Sequence, residues 1–239
     1  MTTLLFRDDA YRRNAAGQVT ERPEQGGVIL NQSLFYPTGG GQPGDVGWLR
    51  WDGGDMQIAT TVKGSGEQVV LIPVDGQPLP SVGTNVTQEL DWDQRFGHMR
   101  VHTALHLLSV VIPLDVSGGS IGHEKGRLDF NMPEAPEDKD ALQDRLQELI
   151  DRDLPVSERW ITEAELDANP QLVKTMSVSP PRGAGRIRLV QIGQGDGQVD
   201  LQPCGGTHVA RTGEIGKIRL GKVEKKGKQN RRVYLHLAD

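Results

Sequence analysis

Cysteine is almost missing from this 239-residue chain, where Cys204 stands alone. No intrachain disulfide can form, and a reducing cytoplasm is the expected home. Aromatic residues make up only 5% of the chain. No run approaches the roughly 18 apolar residues of a membrane-spanning helix. The opening MTTLLFRDDAYRR does not read as a signal peptide, so no membrane partner is expected. Neither charge sign dominates: 27 Lys+Arg against 32 Asp+Glu give −5. As an average this speaks against a nucleic-acid partner, because phosphate affinity comes mostly from cationic side chains that release counterions. There is no internal repeat, no low-complexity stretch and no ATP-binding signature.

The average conceals an asymmetry. Between Lys217 and Arg232 lie eight Lys/Arg and one acid, net +7, which leaves −12 for the rest of the chain. That strip reopens the question of an RNA partner. Thirty Gly and 14 Pro point to many turns and short strands.

Residues 1 to about 90 read as β-rich, with GGVILNQSLFY, VGWLRW, MQIATTV, QVVLIPV and NVTQEL separated by turn dipeptides such as Asp52-Gly53 and Asp75-Gly76. Evenly spaced short strands of this kind make a small barrel or sandwich. A helix is predicted from about Asp93 to Ile112, with Val101, Leu105 and Leu108 on one stripe and Pro113 as its stop. The domain boundary is placed near residue 90. Beyond it, GRLDFNM reads as a strand, the segment holding Leu142, Leu146, Leu149 and Ile150 as a helix, and Thr162 to Glu165 as a capping box. The alternating C-terminal segments read as strands, so residues 91–239 are expected to pack two or three helices on an antiparallel sheet.

The chemistry gathers in two places. His98, His102 and His106 follow one another at four-residue intervals on the predicted helix. Residues i and i+4 are about 40° apart around a helix and can share a metal, whereas i and i+8 are about 12 Å apart along the axis. Either His98/His102 or His102/His106 is therefore the candidate pair. A hundred residues downstream, Cys204 and His208 bracket a Gly-Gly turn in PCGGTH. The glycines are expected to let the turn bring both side chains to one point. A thiolate with imidazoles is a ligand set that suits tetrahedral Zn²⁺. Without the Glu of HExxH, a zincin peptidase is excluded. Gly39, Gly41 and Gly44 formally match the dinucleotide-binding pattern, but Pro43 interrupts it, no helix follows, and no acid lies near residue 59. His123 and His236 read as structural or surface residues.

HTALHLL (102–108) together with CGGTH (204–208) resembles the paired zinc motifs of the alanyl-tRNA synthetase editing domain and its free-standing relatives, the AlaX proteins. FYPTGGGQPGDVG (35–47) is similar to the Gly-rich motif of the medium-length AlaX class, and HVARTGEIGKIRLGKVEKKGKQNRRV follows the family's C-terminal pattern. The resemblance implies an α+β fold: a small N-terminal β-barrel (1–90), then a two-layer editing domain with an antiparallel sheet (91–239). It selects His102, His106, Cys204 and His208 as zinc ligands and leaves His98 outside. It also implies that Gly39, Gly40, Gly41 and Gln42 form a loop that helps select the amino acid. The implied activity is zinc-dependent hydrolysis of mischarged seryl-tRNA(Ala), with glycyl-tRNA(Ala) second.

Such an enzyme has a physical reason to exist. A synthetase pocket built for alanine cannot strongly exclude smaller glycine, or serine, which adds only a hydroxyl. A second site that hydrogen-bonds the hydroxyl can recognise serine, and Thr103 and Gln42 are the candidates for that recognition, with Thr103 back-bonded to its own helix as the alternative. Zinc would either activate a water or orient the substrate's amino group. Four protein ligands leave no open position, the mark of a structural site. Asp200, just before the Cys motif, is the candidate general base, with a structural carboxylate as the alternative. Lys225, Lys226, Lys228, Arg231 and Arg232 are candidate phosphate contacts, since no aromatic beside them offers base stacking. Two rival readings are a non-catalytic zinc-stabilised RNA-binding module and a zinc hydrolase of small free esters or amides. At 239 residues there is no room for an aminoacylation domain.

Overall fold

The computed structural model describes residues 2–24, 26–175 and 185–238. The chain forms two compact units, Met1–Phe96 and Gly97–Asp239. The first unit holds β1 (Thr3–Leu4), α1 (Leu5–Asp8), β2 (Asn14–Glu21), β3 (Val28–Leu30), β4 (Gln32–Ser33), β5 (Gly47–Trp51), β6 (Gly54–Lys63), β7 (Val69–Pro73) and β8 (Asn85–Leu90). Six of these strands close into a barrel in the order β2-β3-β7-β6-β5-β8. Alternation decides what fills it: Leu49 on β5, Met56 and Ile58 on β6 and Leu71 on β7 point inward and are fully buried. Closure leaves the short strands without free edges.

The Gly-rich motif crosses this barrel as an ordered loop. Gly39 and Gln42 exchange two backbone hydrogen bonds of 3.0 Å, and Gly40 (φ 57°) and Gly41 (φ 82°) supply the left-handed backbone between them. At Gly44 the constraint is space rather than backbone angle, since a Cβ there would lie 2.0 Å from the backbone oxygen of Thr61. Gly44→Ala is therefore expected to destabilise the barrel by about 1–3 kcal/mol through overpacking, read as a lower denaturation midpoint.

The motif's acid is its anchor. Asp45 and Arg95 are both buried and form an ion pair in which Arg95 Nε lies 3.1 and 3.0 Å from the two carboxylate oxygens. Arg95 also donates to the carbonyls of Ala10 (2.8 Å) and Leu34 (2.7 Å), and Tyr36 N–H donates to Asp45 Oδ2 at 2.5 Å. One pair thus fastens the N-terminal segment, the Gly-rich loop and the start of the next helix.

That helix, α2 (Trp92–Val111), begins in the first unit and continues through the second. The second unit adds β9 (Val116–Ile121), β10 (Lys125–Asn131), α3 (Lys139–Asp151), β11 (Val156–Thr162), α4 (Glu163–Asp167), β12 (Arg186–Ile192), β13 (Asp200–Pro203), β14 (Ile218–Lys226) and β15 (Asn230–Leu237). The result is α+β. Its strands make two antiparallel sheets, β14-β15-β10-β9 and β11-β12-β13, in place of the single sheet expected from the pattern. Alternation identifies strands but not their partners.

α2 runs between them. Gly126 of β10 lets Val101 and Leu105 approach closely, since a Cβ there would sit 2.6 and 2.9 Å from their side chains. Another side of α2 meets β13 and the turn after it. Instead of one apolar stripe, nearly every residue of α2 from Gly97 to Ser109 is therefore buried. α3 starts at the N-cap Asp138, whose carboxylate accepts from Ala141 N–H, and buries Leu146 and Ile150. Its Gln143 and Gln147 side chains accept from the backbone N–H groups of Leu220 and Ile218, which protects the free edge of β14. The capping box at Thr162 and Glu165 opens α4. Among the described residues, no helix is long and apolar enough to cross a membrane.

Candidate metal centre

Helical spacing puts His102 and His106 one turn apart on α2, and both are buried. The turn following β13 brings Cys204 and His208 against them. One ligand atom from each of the four residues lies within 4.8 Å of all the others. Cys204 Sγ is 3.4 Å from His102 Nε2 and 3.3 Å from His208 Nε2. Metal–sulfur and metal–nitrogen bonds of about 2.3 and 2.0 Å in tetrahedral geometry place S and N about 3.5 Å apart, so the cluster has the right dimensions. His98 is buried but is not a member.

The imidazole tautomers are set from outside. His106 Nδ1 meets Asp200 Oδ2 at 2.9 Å, and a proton held there leaves Nε2 to face the cluster. His208 Nδ1 meets Thr103 Oγ1 at 3.1 Å, while that hydroxyl donates to Met99 O at 2.9 Å and accepts from Val209 N–H at 3.3 Å. Those bonds use the hydroxyl proton once and the oxygen twice, which is its full capacity. Thr103 is buried, back-bonded to its own helix at Met99 and in contact with His208.

Asp200 is tied to the same cluster. Period-two alternation on β13 turns Asp200 and Gln202 together toward α2. Its carboxylate binds His106, accepts from Gln202 Nε2 at 2.8 Å, and accepts from Lys174 Nζ at 2.5 Å. Burial alone would raise its pKa, but His106 and Lys174 hold it down to about 2. With its oxygens taken by His106, Gln202 and Lys174, the carboxylate is placed to orient His106. Asp200→Asn is expected to lower metal affinity about 10–100-fold, measured by competition with a chelator.

The turn itself is not made by left-handed glycine. Neither Gly205 nor Gly206 adopts a positive φ. Gly206 N–H donates to Cys204 Sγ at 3.4 Å, and Arg188 Nη1 clamps the carbonyls of Cys204 (2.7 Å) and Gly206 (2.9 Å). Neither Arg188, held in turn by Glu158, nor Lys174 stands out in the sequence, because their partners are distant in the chain. The strand position of Arg188, two residues from Val190 where β12 lies beside β13, is the only local hint.

The electrostatics ask for a cation. Burial would raise the Cys204 thiol, but His102 and His208 carry it well below its ordinary value. Burial and His102 lower His208 to about 3, so it is neutral near pH 7. Burial opposes charge on His106 too, yet Asp200 and Cys204 raise it to about 9. A buried thiolate is thus balanced by a proton on His106, and a bound cation would displace that proton. These four residues can hold one metal ion.

The other expected contacts belong to other elements. Gly39, Gly40 and Gly41 are part of the first unit, and Gln42 is fully buried there. On the β14–β15 hairpin, Gly227 (φ 74°) makes the turn after Lys225 and Lys226. Three of the five expected phosphate contacts have protein partners. Lys226 pairs with Glu224 (3.4 Å), Arg231 donates to Pro133 O, and Arg232 grips Asp129 through two bonds of 2.7 and 2.8 Å. Lys225 and Lys228 remain exposed.

Residues 187–234 match the model of the Threonyl and Alanyl tRNA synthetase second additional domain, and residues 8–94 match that of tRNA synthetases class II (A). The alanyl-tRNA editing protein AlaX-M of Methanosarcina acetivorans is 32% identical over the full length of both chains. That of Saccharolobus solfataricus is 34% identical over 98% of each. The alanine–tRNA ligase of Pyrobaculum calidifontis is 36% identical over 94% of this chain, which spans 25% of the ligase. With end-to-end identity above 30% and the paired motifs in one cluster, the chain belongs to the AlaX-M family of alanyl-tRNA editing proteins.

Proposed function

We propose that this protein edits in trans, hydrolysing the ester that joins serine, and secondarily glycine, to tRNA(Ala), at a Zn²⁺ held by His102, His106, Cys204 and His208. The observation that carries the reading is the convergence of two motifs a hundred residues apart on one buried point, with two imidazole tautomers preset for a metal. The names of the full-length relatives, alanyl-tRNA editing proteins, support an editing role on tRNA(Ala).

When bound, zinc supplies Lewis-acid polarisation and a fixed positive charge. The protein's own groups do the rest. Asp200, backed by Lys174, keeps the His106 proton on Nδ1, and Thr103 does the same for His208. Arg188 fixes the turn that carries Cys204. The Thr103 hydroxyl is fully used within the protein, so selection of the amino acid rests on other groups.

The test is incubation with seryl-, glycyl- and alanyl-tRNA(Ala), with and without a chelator. Release of serine and glycine but not alanine, lost on chelation and restored by zinc, is the expected result. The closed four-ligand set favours one alternative, a zinc-stabilised RNA-binding module without catalysis. Wild-type protein that binds tRNA(Ala) but never accelerates serine release would establish that alternative.

A further inference from the structure

The four-stranded sheet β14-β15-β10-β9 has two unlike faces. Leu220, Val233, Leu235, Gly126 and Phe130 are buried on one. The register assigns the other. Arg219 lies opposite His236, which lies opposite Lys125; Tyr234 lies opposite Arg127; and Glu224, Arg232 and Asp129 form the next rung. The bulge between Leu220 and Val223 brings Lys222 to the same face, its ammonium 5.6 Å from the Tyr234 ring centre.

The two acids on this face act as struts. Asp129 holds Arg127 (2.9 Å) and Arg232, while Glu224 holds Lys222, Lys226 and the Tyr234 hydroxyl (3.1 Å). The rung beyond them has none. Arg219 and Lys125 are exposed, flank His236 on both neighbouring strands and make no ion pair among the described residues. Burial and these two cations lower the pKa of His236. Arg219 on β14 and Lys125 on β10 thus stand on either side of His236 with no acid paired to either among the described residues, a local excess of positive charge that an anion can neutralise. At Gly221 a Cβ would lie 2.9 Å from both His236 Nε2 and Tyr234 Cβ, so the glycine lets these two side chains pack closely over β14.

We infer that this sheet face grips the phosphate backbone of the tRNA, with Arg219 and Lys125 as direct phosphate contacts and the strutted cations as the surrounding field. This places the RNA on the sheet rather than on the tip of the β14–β15 hairpin, and it rests on the tRNA reading above. A lipid surface fits less well. Membrane-bound faces insert large apolar side chains, and the exposed ones here (Val82, Leu114 and Trp160) lie outside this sheet. With Lys222 over the Tyr234 ring, phosphate contact is favoured over base stacking, so binding is independent of sequence.

The experiment compares wild type, Arg219→Glu/Lys125→Glu, the milder Arg219→Gln/Lys125→Gln, and Lys225→Gln/Lys228→Gln. Circular dichroism checks the fold, and uncharged tRNA(Ala) is titrated over a salt series. The charge-reversal pair is expected to bind about tenfold more weakly, with a log–log salt slope shallower by about 1.5–2 for two lost phosphates. The Gln pair should lose less, yet more than the hairpin-tip pair, and in seryl-tRNA(Ala) hydrolysis KM should rise more than kcat falls. Unchanged affinity and salt slope in the charge-reversal pair would overturn the assignment. So would a loss concentrated in the hairpin-tip pair, or tight capture of phosphatidylserine vesicles by a wild type indifferent to tRNA. Wild type that neither binds nor deacylates any tRNA(Ala) would defeat the functional reading itself, whereas an active wild type with unaffected variants defeats only this surface.

Discussion

Cys204→Ala is expected to abolish metal binding and seryl-tRNA(Ala) hydrolysis together, the largest functional effect available to one substitution. The reason is local charge. Cys204 is the only anionic member of the cluster, and its sulfur stands 3.3–3.4 Å from two of the imidazoles. Without it, three histidines and no thiolate remain, a set that binds zinc more weakly and leaves the loaded site at +2 instead of +1. Metal content by elemental analysis should fall to background, and hydrolysis to the uncatalysed rate. Circular dichroism and tRNA binding separate this from unfolding: a folded variant that still binds tRNA supports the catalytic reading. Retained hydrolysis in a metal-free, folded Cys204→Ala protein would sink it.

Asp45→Ala is expected to lower stability by about 3–5 kcal/mol, because it leaves the buried Arg95 guanidinium without its counter-charge. Stabilities of about 5–15 kcal/mol are usual, so a loss of this size unfolds a sizeable fraction of molecules under mild conditions. The damage is predicted to start in the Gly-rich loop, where the Asp45 carboxylate also holds Tyr36 N–H, and where Thr61 Oγ1 donates to the Asp45 carbonyl at 2.8 Å. Denaturant titration measures the loss. Replacing both partners, Asp45→Leu with Arg95→Met, should recover part of it, because no lone charge is then buried. A single variant as stable as wild type would show that solvent reaches the pair.

Much of the fold was legible because its signals are local. The helix expected at 93–112 is found at Trp92–Val111, and the even run of short strands closes into the barrel. Pairing was less legible. Strands from β9 to β15 share one alternating pattern, and their division into two sheets depends on α2 lying between them, which no window of sequence contains. The candidate cluster shows the same divide. HTALH and CGGTH are compact enough to stand out in the chain, but Asp45, Arg95, Lys174 and Arg188 carry no motif. Their importance comes from partners 16 to 85 residues away and from burial that strips water from the charges.

By itself, the sequence determined the α+β class and, through its resemblance to a known family, the set His102, His106, Cys204 and His208, whereas helical spacing alone left His98 and His106 as rivals for the place beside His102. Only the tertiary structure decided what the neighbouring groups do. Thr103 and Asp200 became supports for ligands because folding brought His208 and His106 within hydrogen-bond reach, and a buried polar atom must take the partner that packing provides. In the same way, β-sheet register rather than charge count divided the cationic strip, setting Arg232 against Asp129 and leaving Arg219 and Lys125 on either side of His236 with no ion pair among the described residues.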